Sequence, residues 1–316
     1  MGNGLVWFRN DLRISDKESL SSACKAHEKV IGVYFFDPRH FEEAAYGFKK
    51  TGKFGAKFLI ETLLELKKNL EKLKISLLVF KEEPEKRITN LVSNYAISHI
   101  YFQEEWTSEE KKVEKAVKKV AGNASLQSFY QQFLYHPNDI PFNSFEDIPR
   151  VFTDFRKKLE KQAQVRDLIP VPQKMEQTNL LQEPTSIPTL KDLGFEDFEA
   201  DPRSAFPFKG GEYQAKERIQ NYFWKTRNLL EYKETRNGLI GENYSSKLSA
   251  WLANGSISPR FVYHQVKSFE KENKSNQSTY WLIFELIWRD FFKYISLKHG
   301  DDIFKIGGIL HKDLPW

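Results

Sequence analysis

The sequence predicts an α/β fold over its first 130 residues, a doubly wound parallel sheet, followed by an all-α carboxy-terminal domain. Three observations carry that prediction. Short apolar runs recur through the amino-terminal part, each too brief for a helix and rich in β-branched or aromatic side chains, as strands buried on both faces are. Stretches with a three-to-four-residue apolar repeat separate them, and strand–helix alternation favours parallel pairing with helices on both faces. After Gly210-Gly211 only the helical period returns.

Leu5-Val6-Trp7-Phe8 is the first strand, Val30 to Phe36 the second, Leu77 to Phe80 the third and Ile97 to Phe102 the fourth. Phe58, Leu59, Leu63, Leu66, Leu70 and Leu73 make one helical face between Lys and Glu residues; Val113, Ala116, Val117 and Val120 make another. From Tyr130 to Pro207 the pattern breaks, and nine of the 13 prolines fall there. That reads as an inter-domain connection over residues 131–207, long enough to require short helices of its own. Four helices follow: Tyr213 to Leu230, Lys247 to Asn254, Phe261 to Phe269 and Tyr280 to Lys298. The chain divides as 1–130, 131–207 and 208–316, with no internal repeat.

A length of 316 residues fits about two domains. The single Cys24 excludes an internal disulfide framework and a cysteine-based metal cluster, and fits a reducing compartment. The amino terminus lacks the pattern of a signal peptide, and no apolar stretch reaches the ~18 residues of a membrane helix. A cytoplasmic or organellar globular protein is expected. Lys and Arg total 48 against 43 Asp and Glu, a net charge of +5 that permits a polyanionic partner without requiring one. Aromatic residues make up 15%, enough for some rings to stack on something other than protein.

Three stretches invite a chemical reading. Arg9-Asn10-Asp11-Leu12-Arg13 follows the first strand, where doubly wound sheets open onto ligand crevices; the plainer reading is a solvated loop with local ion pairs. Tyr244-Ser245-Ser246-Lys247-Leu248-Ser249 opens a predicted helix, and hydroxyls, a Lys and free N–H groups there form a phosphate cradle, or simply a serine N-cap. Trp281 to Phe292 sets Glu285 and Trp288 on one face of an aromatic helix. An acid in such a stripe either finds a structural partner, Arg289 being the nearest in sequence, or marks a pocket. Cys24 reads as a small buried hydrophobe, the basic helix around Lys111 to Lys119 as a solvated face. The seven histidines lack metal-ligand spacing, so no metal site is expected.

In their order and spacing these segments resemble the photolyase/cryptochrome family, and within it the DASH cryptochromes. The resemblance runs along nearly the whole chain. It rests on Leu5 to Arg13, Phe36-Asp37-Pro38-Arg39, Lys50-Thr51-Gly52, Thr235-Arg236-Asn237-Gly238, Tyr244 to Ser249, Ser258-Pro259-Arg260 and Glu285 to Phe291. It implies an α/β antenna domain and a helical domain that binds FAD. Tyr232, Ser245, Ser246, Lys247, Leu248, Ser249 and Glu285 would contact the flavin cofactor. Glu285 and Trp288 would receive a flipped-out pyrimidine dimer in DNA, single strands preferred, and Arg236 would meet the DNA backbone. Glu104 and, above all, Glu105 would contact a 5,10-methenyltetrahydrofolate antenna.

Members of the family continue past the point matching Trp316, so the resemblance implies an incomplete helical domain that binds FAD poorly and repairs little on its own. By spacing from Trp288, Trp316 matches the outermost tryptophan of the family's electron relay. The implied activity is light-driven dimer repair. Blue-light signalling, or a folate- or nucleotide-binding module without repair, are the competing expectations.

Overall fold

The first apolar run becomes the centre of the sheet. Residues Gly4 to Phe8 are all buried, because β1 (Asn3–Phe8) has a strand on each side and helices on both faces. The computed structural model describes residues 2–45, 47–182, 185–312 and 315. Its elements follow in the order β1, α1 (Glu18–Ala26), β2 (Val30–Phe35), α2 (Pro38–Phe41), α3 (Lys53–Lys72), β3 (Leu77–Phe80), α4 (Pro84–Asn94), β4 (Ile97–Gln103), α5 (Ser108–Val120) and β5 (Ser125–Phe129). All pairings are parallel, in the order β3-β2-β1-β4-β5. Leu5 lies beside Ile31 of β2 and Ile100 of β4.

Alternation along β1 sorts the two faces. Val6 and Phe8 pack with Leu20 and Ala23 of α1 and Leu63, Leu66 and Leu70 of α3. Leu5 and Trp7 pack with Ile88 and Leu91 of α4 and Val117 of α5. This is the doubly wound arrangement expected from the four apolar runs. The fifth strand, Ser125 to Phe129, escapes that reading because it forms an edge and leaves its side chains exposed or half-exposed.

The proline-rich connection divides in two. Its first part belongs to the helical core: Phe133, Leu134, Tyr135 and Ile148 are buried there, with Phe152, Phe155 and Leu159 of α6 (Phe152–Gln162). The later part runs along the α/β unit. Asn179 bonds through its side chain to the N–H and C=O of Val30 and to the carbonyl of Lys74, and Thr185 Oγ1 accepts from Val79 N.

The helical unit continues with α7 (Glu212–Ile219), α8 (Tyr232–Thr235), α9 (Ser249–Ala253), α10 (Pro259–Glu272) and α11 (Gln277–His299). Two predicted helices are corrected. The helix expected over Tyr213 to Leu230 ends as α7 and gives way to a π-helical turn at Gln220–Lys225. The Thr226 hydroxyl bonds back to the carbonyls of Asn221 and Tyr222, and Arg227 takes a left-handed conformation (φ 57°). The helix expected from Lys247 starts only at Ser249, because Lys247 is itself left-handed (φ 61°).

Arg9 to Arg13 meets each expectation only in part: Asn10 is exposed and lines a cavity at the strand ends, whereas Asp11, Leu12 and Arg13 are buried. The segment is the joint between the two units. Arg13 is buried and donates to the carbonyls of Ser15, Asp16, Gln131 and Gly255. Buried Lys17 pairs with Asp11, and burial lowers the Lys17 pKa to about 8. Arg260 of α10 pairs with Asp16, and Glu212 of α7 accepts from Ile14 N. Gly255 (φ 70°) faces the loop so closely that a Cβ there would lie 2.1 Å from the Asn10 carbonyl oxygen. Among the described residues, no helix is long and apolar enough to cross a membrane.

Candidate functional site

The helix α11 positions the acid singled out in the sequence. Its start is fixed by Asn276, whose side chain accepts from Ser278 N and Thr279 N. The same end clamps α8: Ser278 Oγ accepts from Lys233 N and donates to Glu234, and Asn276 Nδ2 donates to the carbonyl of Leu230. Tyr232, Arg236 and Glu285 thereby come together from two elements.

The partner of Glu285 is Arg236, at 2.8 Å, with both side chains 29% exposed. It is not Arg289, which donates instead to the carbonyls of Gln132 and Leu252. Tyr232 is buried beside this pair, and its pKa is pushed up to about 12, by burial first and by the Glu285 charge second. The Trp281 ring carries Lys233 Nζ at 4.8 Å and the Arg236 guanidinium at 5.9 Å. Its Nε1 is buried without a partner. Trp288 stacks flat on Phe152 at 3.5 Å and 9°, and also packs against Phe292 at 5.5 Å and 23°.

The Ser245–Ser249 segment is a looped cradle, not the mouth of a long helix, since α9 has only five residues. Buried Arg218 organises it, donating to the carbonyls of Glu242, Ser245 and Ser246 and to Asn243 Oδ1. With those carbonyls turned to Arg218, the opposite groups are free. Among the described residues, no hydrogen bond engages the Ser245, Ser246 or Ser249 hydroxyls or the N–H groups of Ser246, Lys247 and Leu248. Lys247 Nζ lies 3.5 Å from the Tyr244 ring centroid, and the Leu248 side chain is buried in the core. Unengaged donors beside a cation fit a phosphate-bearing cofactor such as FAD.

Glu105 lies at the junction between β4 and α11. It accepts from Gln103 Nε2 at 2.7 Å, and burial raises its pKa against the pull of Arg9 and Lys293. Burial lowers the Lys293 pKa to about 8. The amide oxygens of Gln103 and Gln132 are buried here without partners among the described residues, a fit for a ligand with N–H donors such as a pterin ring. Glu104, by contrast, is held in an ion pair by Lys111. Lys293, Gln103 and Gln132 were not legible in the sequence, being scattered over separate segments. The same holds for a cavity of about 710 Å³ at the carboxyl ends of β1 and β2, lined by Asn10, Tyr34, Phe54, Phe198 and Phe206 among others. Trp316 lies outside the described residues.

Comparison with known proteins agrees with this architecture. A sequence model of the DNA photolyase family matches residues 4–176. A cryptochrome DASH from Gloeobacter violaceus is 45% identical over 99% of this chain and 62% of its own length; one from Xenopus laevis is 43% identical over 98% and 60%. This chain thus spans about three fifths of the length of these curated relatives. The crystal structure of a Synechocystis cryptochrome superposes with a TM-score of 0.94 at 41% identity, covering 100% of this chain and 65% of that one. A class III photolyase from Agrobacterium tumefaciens, at 22% identity and a TM-score of 0.75, shares the fold. Motif order, sheet topology and whole-chain similarity agree: the chain belongs to the photolyase/cryptochrome family, with the DASH cryptochromes as its relatives.

Proposed function

We propose that this chain serves light-dependent splitting of cyclobutane pyrimidine dimers in DNA, single strands preferred, with FAD bound by residues of the helical unit. One observation carries the reading: Tyr232 and Arg236 of the α8 segment meet Glu285 of α11, the helix that also presents Trp288. Residues 1–130 serve as the antenna domain, 131–207 as the connection and 208–316 as the flavin-binding part.

Each role follows from chemistry the chain itself carries. The free N–H groups and hydroxyls of Ser245 to Ser249, with Lys247, would hold the cofactor phosphates, and Tyr232 would line its pocket. FAD, when bound, supplies the electron that opens the cyclobutane ring. Glu285 accepts hydrogen bonds from the edge of an extruded pyrimidine, a contact possible only for a base out of its stack. Trp288 gives that base an aromatic surface. Arg236 stands at the rim, where a backbone phosphate competes with Glu285 for its guanidinium. Glu105, with the unpaired Gln103 and Gln132 oxygens, would hold a methenyltetrahydrofolate antenna.

A second reading, a folate- or nucleotide-binding module, is favoured by the cavity at the strand ends. Flavin binding separates the two. Titrated with FAD, the protein is expected to bind it saturably, however weakly. Lys247→Gln is expected to weaken that binding about tenfold or more by removing a charged phosphate donor. A wild-type protein that binds no FAD even at saturating concentration, while binding folate or nucleotide, would sink the repair reading.

A further inference from the structure

We propose that Phe152 is a positioning residue of the dimer-recognition site: its ring fixes the plane of Trp288 and closes one indole face, leaving the remainder to the base. The inference rests on reading Glu285 and Trp288 as the pair that receives the dimer.

The stack is close and nearly parallel, 3.5 Å between centroids at 9°. No base enters a gap of that width, so that face of Trp288 is taken. Phe152 is held too tightly to be a chance neighbour. It is 7% exposed, with Phe284 edge-on at 5.2 Å (87°) and Phe291 at 5.6 Å (71°). Its helix is pinned against α11 along its length. Phe155 packs on Phe291 and Tyr294, and Arg156 Nη1 donates to the Tyr280 hydroxyl, which in turn donates to Glu160. Trp288 is only half-buried; Phe284 and Phe291 meet it edge-on at 6.4 Å (80°) and 5.7 Å (78°), and Phe292, the other ring lying nearly parallel to it, is 64% exposed. The indole thus has a fixed backing ring and an exposed cover. A base that stacks on Trp288 replaces the cover and finds the ring plane already set, which spares the ordering cost of fixing an exposed indole.

Phe152→Leu keeps an apolar side chain of similar size and removes the flat backing, whereas Phe152→Tyr keeps the ring. The measurement is the affinity ratio for a single-stranded oligothymidylate with one cyclobutane dimer over the undamaged strand. In Phe152→Leu the ratio is expected to fall at least about fivefold, the scale of a base–aromatic stack. Affinity for undamaged strand is expected to stay within about twofold, since phosphate contacts carry it. Phe152→Tyr is expected to keep the wild-type ratio. Should the leucine variant fail to fold, Phe152→Met replaces it with the same expectation. A wild-type ratio in the folded aliphatic variant, or an equal fall in the tyrosine variant, overturns the inference alone. A wild-type protein with no preference for the dimer overturns the reading of Glu285 and Trp288, and this inference with it.

Discussion

Arg260→Met is expected to destabilise the protein by about 3–5 kcal/mol, because it strands a buried carboxylate. Asp16 and Arg260 are 1% and 4% exposed and pair at 2.7 Å, with a second contact from Nε at 3.0 Å. They join the turn after β1 to α10, so the substitution strikes the contact between the α/β and helical units. Methionine fills much of the space, and the loss is therefore chiefly electrostatic. Asp16→Asn in the same chain removes the uncompensated charge and is expected to recover part of the loss. Denaturant unfolding of the two single variants and the double variant measures the coupling. Additive losses would mean that the joint is held by packing, not by charge.

Glu285→Gln is expected to slow dimer splitting under limiting light by at least about tenfold, the effect of losing a hydrogen bond to a charged acceptor. Flavin content is expected to stay at the wild-type level, because the phosphate cradle proposed at Ser245 to Ser249 lies on a different segment. The amide also releases Arg236 from its 2.8 Å ion pair, so affinity for undamaged strand should hold or rise. Splitting rate and flavin absorbance on the same samples separate these effects. Loss of flavin with unchanged splitting per bound flavin would reassign Glu285 to cofactor binding.

Strands β1 to β4 were legible because burial on both faces writes apolar runs, confined in β4 to Ile100-Tyr101-Phe102 after the half-exposed Ser98 and His99, whereas the exposed edge strand β5, Ser-Leu-Gln-Ser-Phe, writes none. Glu285 stood out as an acid in an aromatic stripe. Its partner did not, because Arg236 arrives from another element while Arg289, its neighbour four residues on, turns to two carbonyls. Proline content hid Phe152 inside an apparent connection. Left-handed Lys247 delayed the start of one predicted helix and left-handed Arg227 interrupted another, although the apolar period ran through both. Local composition reports burial well; it does not report which distant segment supplies the partner.

Dimer splitting itself is measured by illuminating the reduced, flavin-loaded protein with blue light in the presence of single-stranded DNA carrying cyclobutane dimers. Thymine absorbance is followed against a dark control. Absorbance is expected to return in the light and not in the dark. Flavin-loaded protein that absorbs the light and restores no thymine would contradict the repair reading.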